Sequence, residues 1–435
     1  MRCDILDFGA VSDGVTLNTA AIQRAIDTCH QNGGGTVMVP AGVFKTGTIW
    51  LKSNVELHLS HGATLLASEN LDDYNAEDAY AQNYRCDAEE WCGKHLIIVH
   101  EQENVAITGH GTVDGNGHTY YCEPIKKWNF LWVDGLALAK DKERLRPGQV
   151  IVFVECKRVR VENIRMQNTT CWNIHFHGCE FVQVRGVSIQ NPSTYANTDG
   201  IDIDTSRYVT VSDCIIDTAD DAFAIRGAGH RLKNPPEACE HITITNCVLG
   251  SSSGAFRFGV GNSPIRHVRV SNITVKRAAT AFIFTSNYSA ARGMYTPISD
   301  VTISNVSVAE TQRALKFAAV EKGEIRDILL ENVTCRAYAG SYVKAPEGNH
   351  IHNVRLENFR LEMMDWGKMD EAVLAERRPD VLWLEEADGF TFRRVQILGT
   401  DKTVMPWESD VMAENGTPVV EDCDFCLKKK GEDKT

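Results

Sequence analysis

Acidic side chains crowd one short stretch of this 435-residue chain: Asp199, Asp202, Asp204, Asp213, Asp217, Asp220 and Asp221. Asp199 stands in Asn197-Thr-Asp-Gly200, and Asp220-Asp221 follows one repeat later, at offsets of 220 − 199 = 21 and 221 − 199 = 22 residues. Like charges brought close together raise the pKa of at least one of them, leaving a proton donor at neutral pH beside ionised neighbours. Cleavage of a glycosidic bond needs that division, an acid for the leaving oxygen and a base for water. Each segment alone reads more readily as a turn, because Asp bonds its own backbone there. Clustered Asp also suits calcium. Neighbouring side chains at 220 and 221 point different ways, so both reach one cleft only if the chain bends there.

The offset matters because the chain repeats. From residue 150 a phrase of apolar, any, polar, apolar, any, apolar recurs. Its polar centres are Asn163, Gly186, Asp213, Asn246, Asn272, Asn305, Asn332, Asn358 and Arg394. Each phrase alternates like a half-buried strand and lacks helical spacing. A lone strand cannot bury its face, so the repeat predicts coils stacked on one another. Asn above Asn lets amides bond up the stack. The fold class expected is all-β, a single-stranded right-handed parallel β-helix. The offset then sets the three carboxylates on neighbouring coils of one face.

Asn18-Thr-Ala-Ala-Ile-Gln-Arg-Ala-Ile-Asp-Thr-Cys-His30 reads as an amphipathic helix, begun by Asn18 or Thr19 and stopped before Gly33-Gly-Gly35. It belongs to an N-terminal cap over residues 1–35, with strands at 36–39 and 55–59. The expected organisation is one β-helix domain, 1–427, and a charged tail, 428–435. Two long non-repeating stretches, 68–96 and 115–148, hold Tyr74, Tyr80, Tyr84, Trp91, Tyr120, Tyr121, Trp128 and Trp132. Such rings suit stacking on sugars or packing in a core.

With 45 Lys plus Arg against 58 Asp plus Glu, the net charge is −13. That argues against nucleic acid and anionic membranes as partners. No window approaches a membrane-spanning apolar run. Residues 1–9 carry no signal-like segment, so a cytoplasmic location is expected, or secretion if a leader has been removed. The 14 Cys read as reduced core fillers. Cys423-x-x-Cys426 lacks the second pair a structural zinc site wants. No cofactor and no metal are expected. The oligomeric state stays open.

Over residues 5 to about 400 the sequence resembles the polygalacturonase family of glycoside hydrolases, family 28. The resemblance rests on Asp13-Gly14, Asn18-Thr-Ala-Ala-Ile-Gln, Gly33-Gly-Gly-Thr-Val, Val39-Pro-Ala-Gly and Leu57-His-Leu-Ser-His-Gly-Ala63. It continues through Gly109-His-Gly-Thr-Val-Asp-Gly-Asn-Gly117, Trp172-Asn-Ile-His175, Asn197-Thr-Asp-Gly200 and Asp220-Asp221. It implies a pectin-lyase-like solenoid and an inverting mechanism. Asp220 is then the general acid, and Asp199 and Asp221 together position and deprotonate water.

Two family motifs are missing. Ser253 stands where a Gly-His-Gly histidine is expected, and Ile283 and Thr285 stand where an Arg-Ile-Lys grip on a sugar carboxylate is expected. Arg226 and Arg257 are candidates to supply the lost charge, or they pair with the clustered Asp. If they do pair, the subsite takes a neutral sugar such as rhamnose. Asn197, Trp172, His175 and Ser253 complete the expected substrate-binding set, with His175 equally suited to a structural role. The expected activity is hydrolysis of pectin-derived oligosaccharides from a chain end, oligosaccharide being the partner. Alternatives are a non-catalytic carbohydrate-binding β-helix and a polysaccharide lyase on the same fold.

Overall fold

The computed structural model describes residues 1–76, 91–125, 137–140, 146–345, 350–365, 378–403 and 407–429. The chain divides into two compact units, Met1–Ala224 with Gly229–Glu237, and Ile225–Ala228 with Ala238–Thr435.

The first unit stacks short parallel strands in three columns. One runs Arg2–Asp4, Gly35–Val39, Val55–Leu59, Glu103–Gly109, Lys157–Glu162, Glu180–Arg185 and Arg207–Ser212. A second runs from Asp13–Leu17 to Ile215–Thr218. The third runs Ile49–Trp50, Ile97–His100, Ile151–Val154, Ile174–His177 and Ile201–Asp204. Alternation decides the inside: Val159 and Val161, Val182 and Val184, and Val209 and Val211 are buried between exposed or half-buried neighbours. The helix Thr19–Gln31 buries Ala21, Ile22, Ala25, Ile26 and Cys29. Asn18 makes no side-chain cap to it, its amide instead bonding the Val11 backbone, with Val11 N–H donating to Oδ1 at 2.7 Å.

In the second unit the strands run unbroken through the corners. Cys239–Ser251, Ile265–Thr285, Ile298–Ala318, Ile325–Ala337 and Ile351–Met363 pair in parallel. Phe258, Phe284 and Phe317 stack inside at 4.7 and 4.6 Å. Both units are therefore turns of a parallel β-helix, as the repeat requires.

All nine polar centres have φ between +49° and +64°. This left-handed conformation turns the corner, and Asn, Asp and Gly adopt it most easily. In the second unit the amides of Asn272, Asn305, Asn332 and Asn358 each donate to the Asn one coil earlier, at 3.5, 3.3, 3.2 and 2.9 Å.

The described cysteines are free, and all but Cys92, Cys423 and Cys426 are buried. Leu427–Lys429 forms the last strand among the described residues, which takes Lys428 and Lys429 into the sheet. Among the described residues no helix is long and apolar enough to cross a membrane.

Candidate active site

Strand Ile201–Asp204 begins just after Asp199, and strand Ile215–Thr218 ends just before the turn that carries Asp220 and Asp221. Gly200 N–H donates to the Asp221 carbonyl at 2.8 Å and Ile201 N–H to that of Ala222 at 3.1 Å. The two acidic turns are thus neighbours one coil apart, as the offset requires. The chain bends at residues 219–220. One carboxylate oxygen from each of Asp199, Asp220 and Asp221 lies within 4.8 Å of the others. All three side chains are buried.

Several contacts hold this arrangement. Thr218 Oγ1 donates to the Thr198 carbonyl, and Ala219 N–H donates to Thr198 Oγ1 at 3.2 Å. Asp221 N–H donates to Asp220 Oδ1 at 2.9 Å, and Asn197 Nδ2 approaches Asp220 Oδ2 at 3.5 Å. Gly200 is required sterically, because a Cβ there would meet the Ala222 carbonyl oxygen at 2.4 Å. On the preceding coil, Asn173 donates from both its backbone N–H and its Nδ2 to the Asp199 carbonyl, each at 2.8 Å.

Trp172 and His175 flank Asn173 and are buried against each other edge to face, ring centroids 5.2 Å apart. His175 stands in register with Asp202, stacks on His177 at 5.0 Å and brings Nε2 to 3.7 Å from Asp204 Oδ2. Asp213 belongs to the exposed corner row and meets Arg185 Nε at 3.3 Å. Five of the seven Asp of the stretch therefore fall into a three-carboxylate cluster, a buried His–Asp pair and a corner residue.

Arg226, Ser253 and Arg257 belong to the second unit. Ser253 is buried, its carbonyl accepting from Ala279 and Thr280 N–H at 2.9 and 3.0 Å. Arg226 is half-buried on strand Phe223–Gly227. Arg257 is half-buried and holds its guanidinium 5.6 Å from the Tyr288 ring.

The sequence reading missed Arg146 and gave Tyr121 no place near the carboxylates. Arg146 is buried, donates from Nη2 to Asn197 Oδ1 at 2.8 Å and from Nη1 to the Thr170 carbonyl. Tyr121 Oη donates to the Ala196 carbonyl at 2.7 Å and to Thr170 O at 2.9 Å, and its ring stacks on Tyr195 at 4.3 Å. Burial pushes the Tyr121 phenol well above its ordinary range, so it stays protonated as a donor. Nothing periodic marks Arg146, which ends a stretch that also holds Lys140, Lys142 and Arg144. Tyr74 and Tyr120 are buried too, and Tyr74 Oη donates to the Ser68 carbonyl at 2.7 Å, so the three described rings serve packing. Tyr80, Tyr84, Trp128, Trp132 and the side chain of Trp91 lie outside the described residues.

Three carboxylates in such reach have the chemistry of an acid–base set. They are also a donor set for a divalent cation, although calcium takes six to eight oxygens and three carboxylates held singly give at most half of that.

The family model for glycosyl hydrolases family 28 matches residues 29–279. The exo-poly-alpha-D-galacturonosidase of Dickeya chrysanthemi is 31% identical over 292 residues, covering 58% of this chain and 48% of that protein, so the chain spans about half the length of that relative. An endo-polygalacturonase of Pectobacterium carotovorum subsp. carotovorum is 26% identical over 322 residues, 66% of this chain and 77% of that one. The family 28 exopolygalacturonase structure from Yersinia enterocolitica superposes with a TM-score of 0.66 at 20% identity, over 97% of this chain and 78% of that one. With more than half of its length matched by the family model, the chain belongs to glycosyl hydrolases family 28.

Proposed function

We propose that this chain is an inverting glycoside hydrolase acting on pectin-derived oligosaccharides from a chain end. The observation that carries the reading is the meeting of Asp199, Asp220 and Asp221 from two turns one coil apart. With oxygens inside 4.8 Å, three ionised carboxylates repel by roughly 3 kcal/mol per pair at an effective dielectric of about 20. A proton held by the cluster relieves that repulsion, and it is the proton the leaving oxygen needs. Asp220 donates it, and Asp199 with Asp221 orients and deprotonates the attacking water, as the family resemblance implies. The name of the Dickeya chrysanthemi relative supports exo action.

One observation favours a second reading. In the two-carboxylate scheme, inversion leaves about 6.5–9.5 Å between the groups for water, while retention brings them to about 5 Å. The cluster here is tight. In the inverting reading the water sits beside two carboxylates rather than between two distant ones; in the retaining reading one Asp attacks the sugar.

Two measurements test this. Asp220→Asn is expected to lower kcat by about 10²–10⁴-fold with an unchanged melting temperature; near-normal turnover overturns the assignment. The anomer first released, followed by NMR, decides the stereochemistry, and net retention replaces the first reading with the second.

A further inference from the structure

A buried guanidinium is an expensive group to place next to a reaction centre, and Arg146 is only 1% exposed. One of its contacts reaches a residue of the site. Nη2 donates to Asn197 Oδ1 at 2.8 Å, and Nη1 donates to the carbonyl of Thr170, which also accepts from Tyr121 Oη. Asn197 itself sits at φ +56°, in the turn that leads to Asp199. A guanidinium only donates, so Asn197 must turn its oxygen toward Arg146 and its NH2 away. That NH2 is the group 3.5 Å from Asp220 Oδ2.

We infer that Arg146 is a positioning residue that fixes the Asn197 amide so that an N–H faces Asp220. In resting enzyme the contact is long. When Asp220 gives its proton to the leaving oxygen, the carboxylate becomes a full acceptor and the same N–H meets the new charge. No atom of Arg146 need touch the sugar. The inference rests on the reading of Asp220 as the acid and adds what sets its strength.

The other groups around Asp220 pull in different directions. Asp199 and Asp221, within 4.8 Å, oppose its ionisation, and Asp221 N–H favours it. Tyr121 lies under the guanidinium, 5.9 Å from ring centroid to Cζ, and Tyr195, its phenol also raised by burial, stacks on it at 4.3 Å. Arg146 adds a buried positive charge to this set. Removing it both releases the Asn197 amide and deletes a positive charge, and each change favours the protonated acid.

The experiment compares wild type, Arg146→Gln, Arg146→Lys and Asn197→Ala in the full chain, measuring kcat, KM and melting temperature across pH on a pectic oligosaccharide. Expected for Arg146→Gln is a 10–100-fold lower kcat, a KM within about threefold, and an alkaline limb of kcat moved up by about one pH unit. Asn197→Ala moves the limb in the same direction, and Arg146→Lys recovers part of kcat and of the limb. A lower melting temperature with the alkaline limb unmoved in both Arg146→Gln and Asn197→Ala overturns the inference and leaves Arg146 structural. If Arg146→Gln does not fold, Asn197→Ala alone decides. Activity surviving in Asp220→Asn brings down the underlying reading instead, so the two failures are distinguishable.

Discussion

Gly200 and Asp221 are joined by a backbone hydrogen bond of 2.8 Å that runs between coils and seals one acidic turn onto the next. The contact exists only because position 200 has no side chain: a Cβ would fall 2.4 Å from the Ala222 oxygen. The distance between the carboxylates is therefore set by backbone pairing, and the side chains ride on it.

Gly200→Ala is accordingly expected to damage activity more than its chemistry suggests. Prying the coils apart costs about 1–3 kcal/mol of stability, by analogy with overpacked cores. A shift of about 1 Å between catalytic groups lowers rate by roughly 100-fold. Kinetics and thermal unfolding of the one variant check both; wild-type kcat with a normal melting temperature contradicts the packing argument.

The solenoid and the meeting of the three carboxylates were legible because both follow from period. Alternation identifies strands, the repeat identifies coils, and an offset of one repeat identifies neighbours. Arg146 and Tyr121 were illegible for the same reason. They come from a stretch without period, so no spacing says that they end on the Asn197 loop. The corner row shows a subtler limit. Reading Asn for its amide ladder explained Asn272 and Asn305 but not Gly186 or Arg394, which share the row through the left-handed backbone it demands.

Arg257 and Lys316 offer a test of which sugar is bound. Within the second unit Arg257 pairs in register with Ile283, and Ile283 with Lys316. The apolar residue that replaces an expected charge thus has a cation on the strand at either side, about 10 Å apart by strand spacing. Lys316 also lies 5.9 Å from the Tyr342 ring, alongside Arg313 at 4.9 Å and Lys344 at 5.2 Å. Arg257→Ala with Lys316→Ala is expected to raise KM for a uronate-containing oligosaccharide about tenfold and to leave a neutral one unchanged. Equal effects on both substrates would show that these cations read no carboxylate.

Asn305 separates the two roles of the corner Asn. Its Nδ2 donates to Asn272 and its Oδ1 accepts from Asn332, at φ +56°. Asn305→Ala loses both bonds and pays for a left-handed non-glycine residue, together about 2 kcal/mol. Asn305→Gly loses the bonds but not the conformation, so it is expected to retain more stability than Ala despite its greater freedom when unfolded. Chemical denaturation of the pair gives the order; Ala equal to or above Gly means the backbone demand is minor.

His95 predicts how the first unit responds to acid. It is fully buried, with Nδ1 2.8 Å from the Gln149 carbonyl, and burial lowers its pKa from 6.5 to about 4. A depressed histidine pKa means the folded state resists the proton that the unfolded chain accepts. The contribution is complete above about pH 6.5, is lost as pH falls from there toward 4, and changes no further below that. The loss amounts to about 3 kcal/mol over the window. His95→Asn keeps a donor for the Gln149 carbonyl without a titrating ring. Its stability is expected to fall less steeply than wild type between pH 6.5 and 4, measured by urea unfolding at several pH values. Parallel profiles for the two proteins would place the acid sensitivity elsewhere in the unit.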